Sequence, residues 1–257
     1  MAPLKCDEYS INDKTRLTII DIDKFDTPII DLLDSCFVEI CEGTSCSDLD
    51  TVKKRVKDLY ATKNAEWQIG ATAEFFVHLY IRLNGYKQEC LFLNLEENSI
   101  KKGFDGFYSK NNEYWLMESK AGFSSSKNAT HSEKVSLAMS NLADSVLGKK
   151  RDKDKKSNNP WQEAYSHACH CDVGTAENIR KEIKKLANEF VNEAFHPIEE
   201  FNTMPCGTVF LAGIWIPQNH DSIKESIVNI SGKLSGKEIH VICATHKTIN
   251  LFLDYIR

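Results

Sequence analysis

Residues 103–120 read Gly-Phe-Asp-Gly-Phe-Tyr-Ser-Lys-Asn-Asn-Glu-Tyr-Trp-Leu-Met-Glu-Ser-Lys. Aromatic and apolar residues crowd both arms of this stretch, and the polar tetrad Lys110-Asn-Asn-Glu113 divides them. Two strands, Gly103–Ser109 and Tyr114–Ser119, are therefore expected as a hairpin. Side chains alternate along a strand. Glu118 and Lys120 thus share one side of the second strand with Tyr114 and Leu116, while Trp115, Met117 and Ser119 take the other. A turn centred on Asn111 and Asn112 brings Asp105 to the level of Glu118. Two carboxylates and an ammonium then converge on one point.

Working outward, Arg16–Asp21 reads as a strand, and Thr27–Cys41 as a helix whose apolar side is Ile29, Ile30, Leu32, Leu33 and Phe37. Helical periodicity runs from Leu49 to Asn84, with Ala65, Ile69, Ala73, Val77 and Ile81 at four-residue steps and Asn84-Gly85 as its stop signal. The segment Gln88–Leu95 has strand character. Beyond the hairpin come a helix at Ser132–Leu147, a long amphipathic helix at Ala176–Phe201, strands at Thr208–Ile216 and Glu238–Ala244, and a closing helix at Lys247–Ile256. A mixed central sheet flanked by helices follows, α/β or α+β, with α/β the class adopted. No internal repeat is present. The expected division is an N-terminal extension over residues 1–60, packed on the rest or on a partner, and one catalytic domain over 61–257.

The chain has 257 residues, of which 42% are hydrophobic, enough for a substantial core. It contains no uninterrupted apolar run of about 18 residues, and Met1-Ala-Pro-Leu-Lys-Cys-Asp-Glu lacks the apolar stretch of a signal peptide. A soluble cytoplasmic protein with no membrane association is expected. Nine cysteines, an odd number without paired spacing, fit a reducing compartment better than a disulfide framework. The net charge of -5 argues against an extended basic surface for nucleic acid. If nucleic acid is the substrate, then metal ions, a local basic patch or a partner must supply the attraction. No Walker loop is present, so nucleotide-driven work belongs to another chain.

Asp105, Glu118 and Lys120 have the chemistry that phosphodiester hydrolysis needs. A hard divalent cation prefers oxygen ligands and lowers the pKa of a bound water toward neutrality. Lys120 beside the attacking water would orient or deprotonate it and offset the charge growing on the phosphate oxygens. Glu74, four residues after Gly70 on the upstream helix, looks toward the place where the hairpin opens and fits a supporting or water-mediated ligand. Glu66 on the same side is the reserve. A Glu-x-Lys pair on a strand is most often a solvated face. Here it stands among Phe104, Phe107, Trp115, Leu116 and Met117, where charges are costly unless they have partners.

Taken together, Gly70-Ala-Thr-Ala-Glu74 on a helix, Phe104-Asp105-Gly106, a hairpin and Glu118-Ser119-Lys120 resemble the PD-(D/E)xK nuclease core over roughly residues 66–122, with Phe104 in place of the proline. The resemblance implies catalytic roles for Asp105, Glu118, Lys120 and Glu74, and Mg2+ or Mn2+ held by Asp105, Glu118 and the main-chain carbonyl of Ser119. By overall layout and length the chain also resembles the HamA-type nuclease subunits of Hachiman antiphage systems. That implies DNA as substrate, a HamB-like helicase subunit as partner in a heteromeric complex, and a role in antiviral defence. The alternatives are a stand-alone restriction- or recombination-type nuclease, and a non-catalytic DNA-binding adaptor with a nuclease-like core.

Three further features have weaker readings. The polar run at 149–158 includes Lys149, Lys150, Arg151 and Lys153, which would touch phosphates if this is not simply a solvated loop. His167-Ala-Cys169-His170-Cys171 and the trio Cys36, Cys41 and Cys46 contain zinc-ligand types, yet neither follows the paired spacing of zinc sites, so free thiols and a surface histidine are the simpler reading. Trp161 and Tyr165 read as core or interface anchors rather than base-stacking platforms.

Overall fold

The computed structural model describes residues 4–93, 103–149 and 158–257. Its strands are β1 (Lys5–Ser10), β2 (Thr15–Ile22), β3 (Lys87–Gln88), β4 (Gly106–Lys110), β5 (Glu113–Phe123), β6 (Asn202–Phe210) and β7 (Ile239–His246). Its helices are α1 (Thr27–Glu42), α2 (Leu49–Ala61), α3 (Ala65–Leu83), α4 (His131–Val146), α5 (Pro160–Ala168), α6 (Glu177–Val191), α7 (His220–Ile230) and α8 (Asn250–Tyr255). The strands form one seven-stranded mixed sheet in the order β1-β2-β7-β6-β5-β4-β3. The inner pairs β2/β7, β7/β6 and β6/β5 are parallel, and both outer margins are antiparallel.

Alternation along the inner strands feeds two cores. Ile20, Ile22, Trp115, Met117, Ile242 and Ala244 point to one face, where α1, α2, α3 and α8 cover them. Leu17, Ile19, Leu116, Val241 and Cys243 point to the other, under α4, α5, α6 and α7. Parallel strands buried on both faces are nearly continuously apolar, and every residue of β6 and of β7 is buried. On the first face Phe75 lies 5.2 Å from Phe37 and 5.1 Å from Phe252 between ring centroids. Truncating one such ring to alanine costs about 3–5 kcal/mol.

The α/β class with a mixed sheet between helices is as expected, and several boundaries move. Periodicity from Leu49 to Asn84 spans two helices, because Thr62 ends α2 and the Asn64 side chain caps α3 by accepting from Trp67 N. The expected Ala176–Phe201 helix stops at Val191, where Glu193 turns left-handed at φ 58°. The strand expected at Thr208–Ile216 is instead Asn202–Phe210. Residues 94 and 95 of the Gln88–Leu95 segment lie outside the described residues, and within it only Gln88 belongs to β3. Residues 1–60, expected as an extension to a 61–257 domain, contribute β1, β2, α1 and α2 to the shared sheet and its α3-side core. β2 pairs directly with β7, which ties the two segments together. No helix among the described residues is long and apolar enough to cross a membrane.

Candidate active site

The site begins with the hairpin turn. Asn111 and Asn112 both adopt left-handed backbone, φ 53° and 62°, as a two-residue turn matching the twist of its strands requires. Lys110 then pairs with Glu113, and the register runs back to Gly106 opposite Met117. β4 stops there. Glu118 to Phe123 continue with β6 on one side, and among the described residues no strand covers their other side. The open edge of β5 is a notch.

Asp105, one residue before β4, fills the mouth of this notch and accepts a hydrogen bond from Ser119 N through Oδ2 at 2.8 Å. Lys120 Nζ lies 2.7 Å from Glu118 Oε1, 3.9 Å from Asp105 Oδ2 and 3.2 Å from the main-chain oxygen of Ser119. The register expected for Asp105, Glu118 and Lys120 is therefore present. Glu74 reaches the same place from α3. It is buried and accepts from or pairs with His78 Nε2 at 3.3 Å, while His78 Nδ1 meets the Tyr108 hydroxyl on β4.

The electrostatics bind these groups together. Loss of water around Asp105 pushes its carboxyl well above the usual carboxylate range, the charges of Glu118 and then Glu74 push it further, and Lys120 pulls it back. The Asp105 side chain keeps 29% of its surface open, so the repulsion among carboxylates is the steadier part of this shift. For Lys120, burial acts against the ammonium, but Glu118 and Asp105 outweigh it and raise its pKa. Lys120 is thus held protonated, which favours charge compensation over proton abstraction. The donor set is all oxygen, carboxylates plus the Ser119 carbonyl, and suits a hard divalent cation better than a thiol- or imidazole-preferring one.

Other site residues were not foreseen. Asn141 on α4 donates to Glu118 Oε1 at 3.3 Å, and its sole signal in the sequence is a polar side chain beside the apolar stripe Val135, Ala138, Met139 and Leu142. His78 stands four residues after Glu74, the spacing of helix neighbours. Gly122 shares the face of Glu118 and Lys120, and a Cβ there would lie 2.9 Å from Lys134 Nζ. The missing side chain makes room for a second ammonium beside the notch. Glu66, the reserve, is exposed in the first turn of α3, two turns from Glu74. Lys149 lies past the end of α4, where left-handed Gly148 turns the chain, and 3.9 Å from Asp144. Lys150, Arg151 and Lys153 lie outside the described residues. Trp161 is buried against Phe104 and Phe201, as a core anchor.

No family model matches this chain, and no curated protein matches it. The chemistry is therefore read from the notch.

Proposed function

We propose that this chain is a metal-dependent nuclease with a PD-(D/E)xK-type core, hydrolysing DNA phosphodiester bonds. The observation that carries the reading is the meeting of Asp105, Glu118 and Lys120 from a hairpin with Glu74 from a helix, at a sheet edge left open by the early end of β4. Asp105, Glu118 and the carbonyl of Ser119 would hold Mg2+ or Mn2+, which when bound supplies water activation and polarisation of a phosphate oxygen.

The chain's own residues do the rest. Lys120 carries a fixed positive charge where negative charge grows on the phosphate, a role worth several kcal/mol in a site shielded from water. The ammonium of Lys134 stands on the same face, suited to a phosphate flanking the reacting one. Asn141 orients Glu118, and the Tyr108-His78 pair orients Glu74. With a net charge of -5 and no motor loop, the chain is suited to work beside another protein that brings it to DNA. On the resemblance to HamA-type subunits, that partner would be a helicase subunit and the setting antiphage defence in the cytoplasm.

The test is incubation of the purified chain, alone and with the product of its neighbouring gene, on plasmid, linear DNA and RNA with magnesium. Magnesium-dependent cutting of DNA that chelation stops is expected. Intact substrates in every arm, with no manganese binding by calorimetry, would overturn the reading.

A further inference from the structure

On the α5 side of the molecule a second cluster of ligand-type side chains has no part in the notch. The chain leaves α5 and enters a tight turn, Cys171–Val173, closed by donation from Val173 N to His170 O at 3.1 Å and from Gly174 N to Cys171 O at 3.1 Å. One ligand atom each from His170, Cys171 and Asp172 lies within 4.8 Å of the others. His170 Nδ1 is buried and has no hydrogen-bond partner. Asp172 Oδ2 lies 3.6 Å from it, beyond good hydrogen-bond distance. Two N or O ligands at about 2.0–2.1 Å from one tetrahedral zinc stand roughly 3.3–3.4 Å apart. The spacing thus suits two atoms that share an ion better than two that share a proton.

The backbone under these ligands is held in place before any ion arrives. Asp172 O accepts from Thr44 N at 2.8 Å and from the Thr44 hydroxyl at 3.2 Å, and Gly174 O accepts from Lys87 Nζ at 2.6 Å. Gly43 passes so close that a Cβ on it would lie 2.2 Å from Asp172 O. The turn is therefore anchored to the end of α1 and to the segment carrying β3, so little backbone freedom remains to be lost on binding. An imidazole, a thiolate and a carboxylate form a borderline-soft set, the kind that selects zinc and leaves magnesium to all-oxygen sites. Paired-ligand spacing gives no sign of it, because the three ligands are consecutive residues.

We propose that His170, Cys171 and Asp172 form a zinc-binding site with three protein ligands and a fourth position facing solvent. The site stands independently of the nuclease reading.

Cobalt(II) is the probe, titrated into the metal-free, reduced full-length chain. One equivalent should give a thiolate-to-cobalt charge-transfer band in the near ultraviolet, cobalt in the all-oxygen notch giving none, and zinc should remove the band. Loss of an outer partner alone typically weakens metal sites 10–100-fold, so His170→Ala and Asp172→Asn should weaken binding by roughly tenfold or more. Cys171→Ser and Cys171→Ala should both abolish the band, while Cys169→Ser and Asp105→Asn leave it unchanged. A band that survives in folded Cys171 variants, one that disappears with Cys169→Ser, or no band in the wild type would each overturn the site.

Discussion

Two places in the sheet gather carboxylates around a cation, with opposite results. At the β1 margin, His220 from α7 stands between Asp7 Oδ2 at 2.7 Å and Asp21 Oδ2 at 3.0 Å. In the notch, Lys120 stands among Glu118, Asp105 and Glu74. The first cluster joins two strands and a helix, and its outer member, Asp7, is 59% exposed. The second lies in a cleft with negative charge in excess, and the excess appears as a carboxyl on Asp105 that resists ionising. The first cluster sets one imidazole against two carboxylates, the second one ammonium against three. On the proposed function, the notch is left short of positive charge so that a cation can offset it, and the fold elsewhere offsets the cost.

The largest effect should come from Lys120→Ala. The rate of DNA cutting should fall on the order of a hundredfold or more, with the melting temperature little changed. Wild-type rates in a folded variant would remove Lys120 from the chemistry. Asp105→Asn should separate the two kinds of cluster more directly. It relieves repulsion in the metal-free protein, so the melting temperature should rise without metal. The gain from manganese, about 2.7 kcal/mol at a hundredfold excess over Kd, should disappear. A lower melting temperature without metal, together with unchanged calorimetric affinity, would show that Asp105 is a structural partner like Asp21.

His78→Phe keeps the ring and removes both contacts that orient Glu74. It should reduce cutting by roughly tenfold, as expected for groups behind a ligand, and destabilise by about 1–3 kcal/mol because Glu74 and Tyr108 lose a buried partner. Equal melting curves would show that the Tyr108-His78-Glu74 chain does not hold the fold.

The smallest effect is at the β1 margin. Burial disfavours the His220 imidazolium, but Asp7 and Asp21 outweigh it and raise its pKa. Its contribution to stability is therefore complete below the unfolded value of about 6.5, and it fades as pH rises through the folded value. Asp21, raised chiefly by burial, removes stability as pH climbs through the carboxylate range, so it acts on the acid side of that window. His220→Gln should cost about 1 kcal/mol or less near pH 6, given the exposure of Asp7, and almost nothing at pH 9. A loss that is the same at both pH values would make the contact one of shape rather than charge.

The hairpin was legible because each of its signals is local: alternation, two asparagines that tolerate left-handed backbone, and a two-residue turn that sets the register of Asp105 against Glu118. The early end of β4 was not legible, and it is what opens the notch. β1 went unread because an edge strand with Lys5, Asp7 and Glu8 alternates no apolar face. β6 was placed six residues late because it is buried at every position and offers no period to align. α5 and α7 are short helices introduced by Asn159 and Asn219, caps that are clear in retrospect but common in loops. His78 and Asn141 act through contacts that join separate elements, and no spacing along the chain announces those.

The pairing of β2 with β7 brings Thr15 opposite Ile239 and Ile22 opposite His246. A ribosome makes the first of these strands long before the second. During synthesis β2 has no parallel neighbour, and β6, which flanks β5, lacks its own outer partner until residues up to His246 have emerged. Sheets built from such distant pairings assemble slowly. An unfinished chain therefore displays the hairpin without the frame that aligns Asp105, Glu118 and Lys120, so on the proposed function the centre would be completed only once the residues of β7 have emerged.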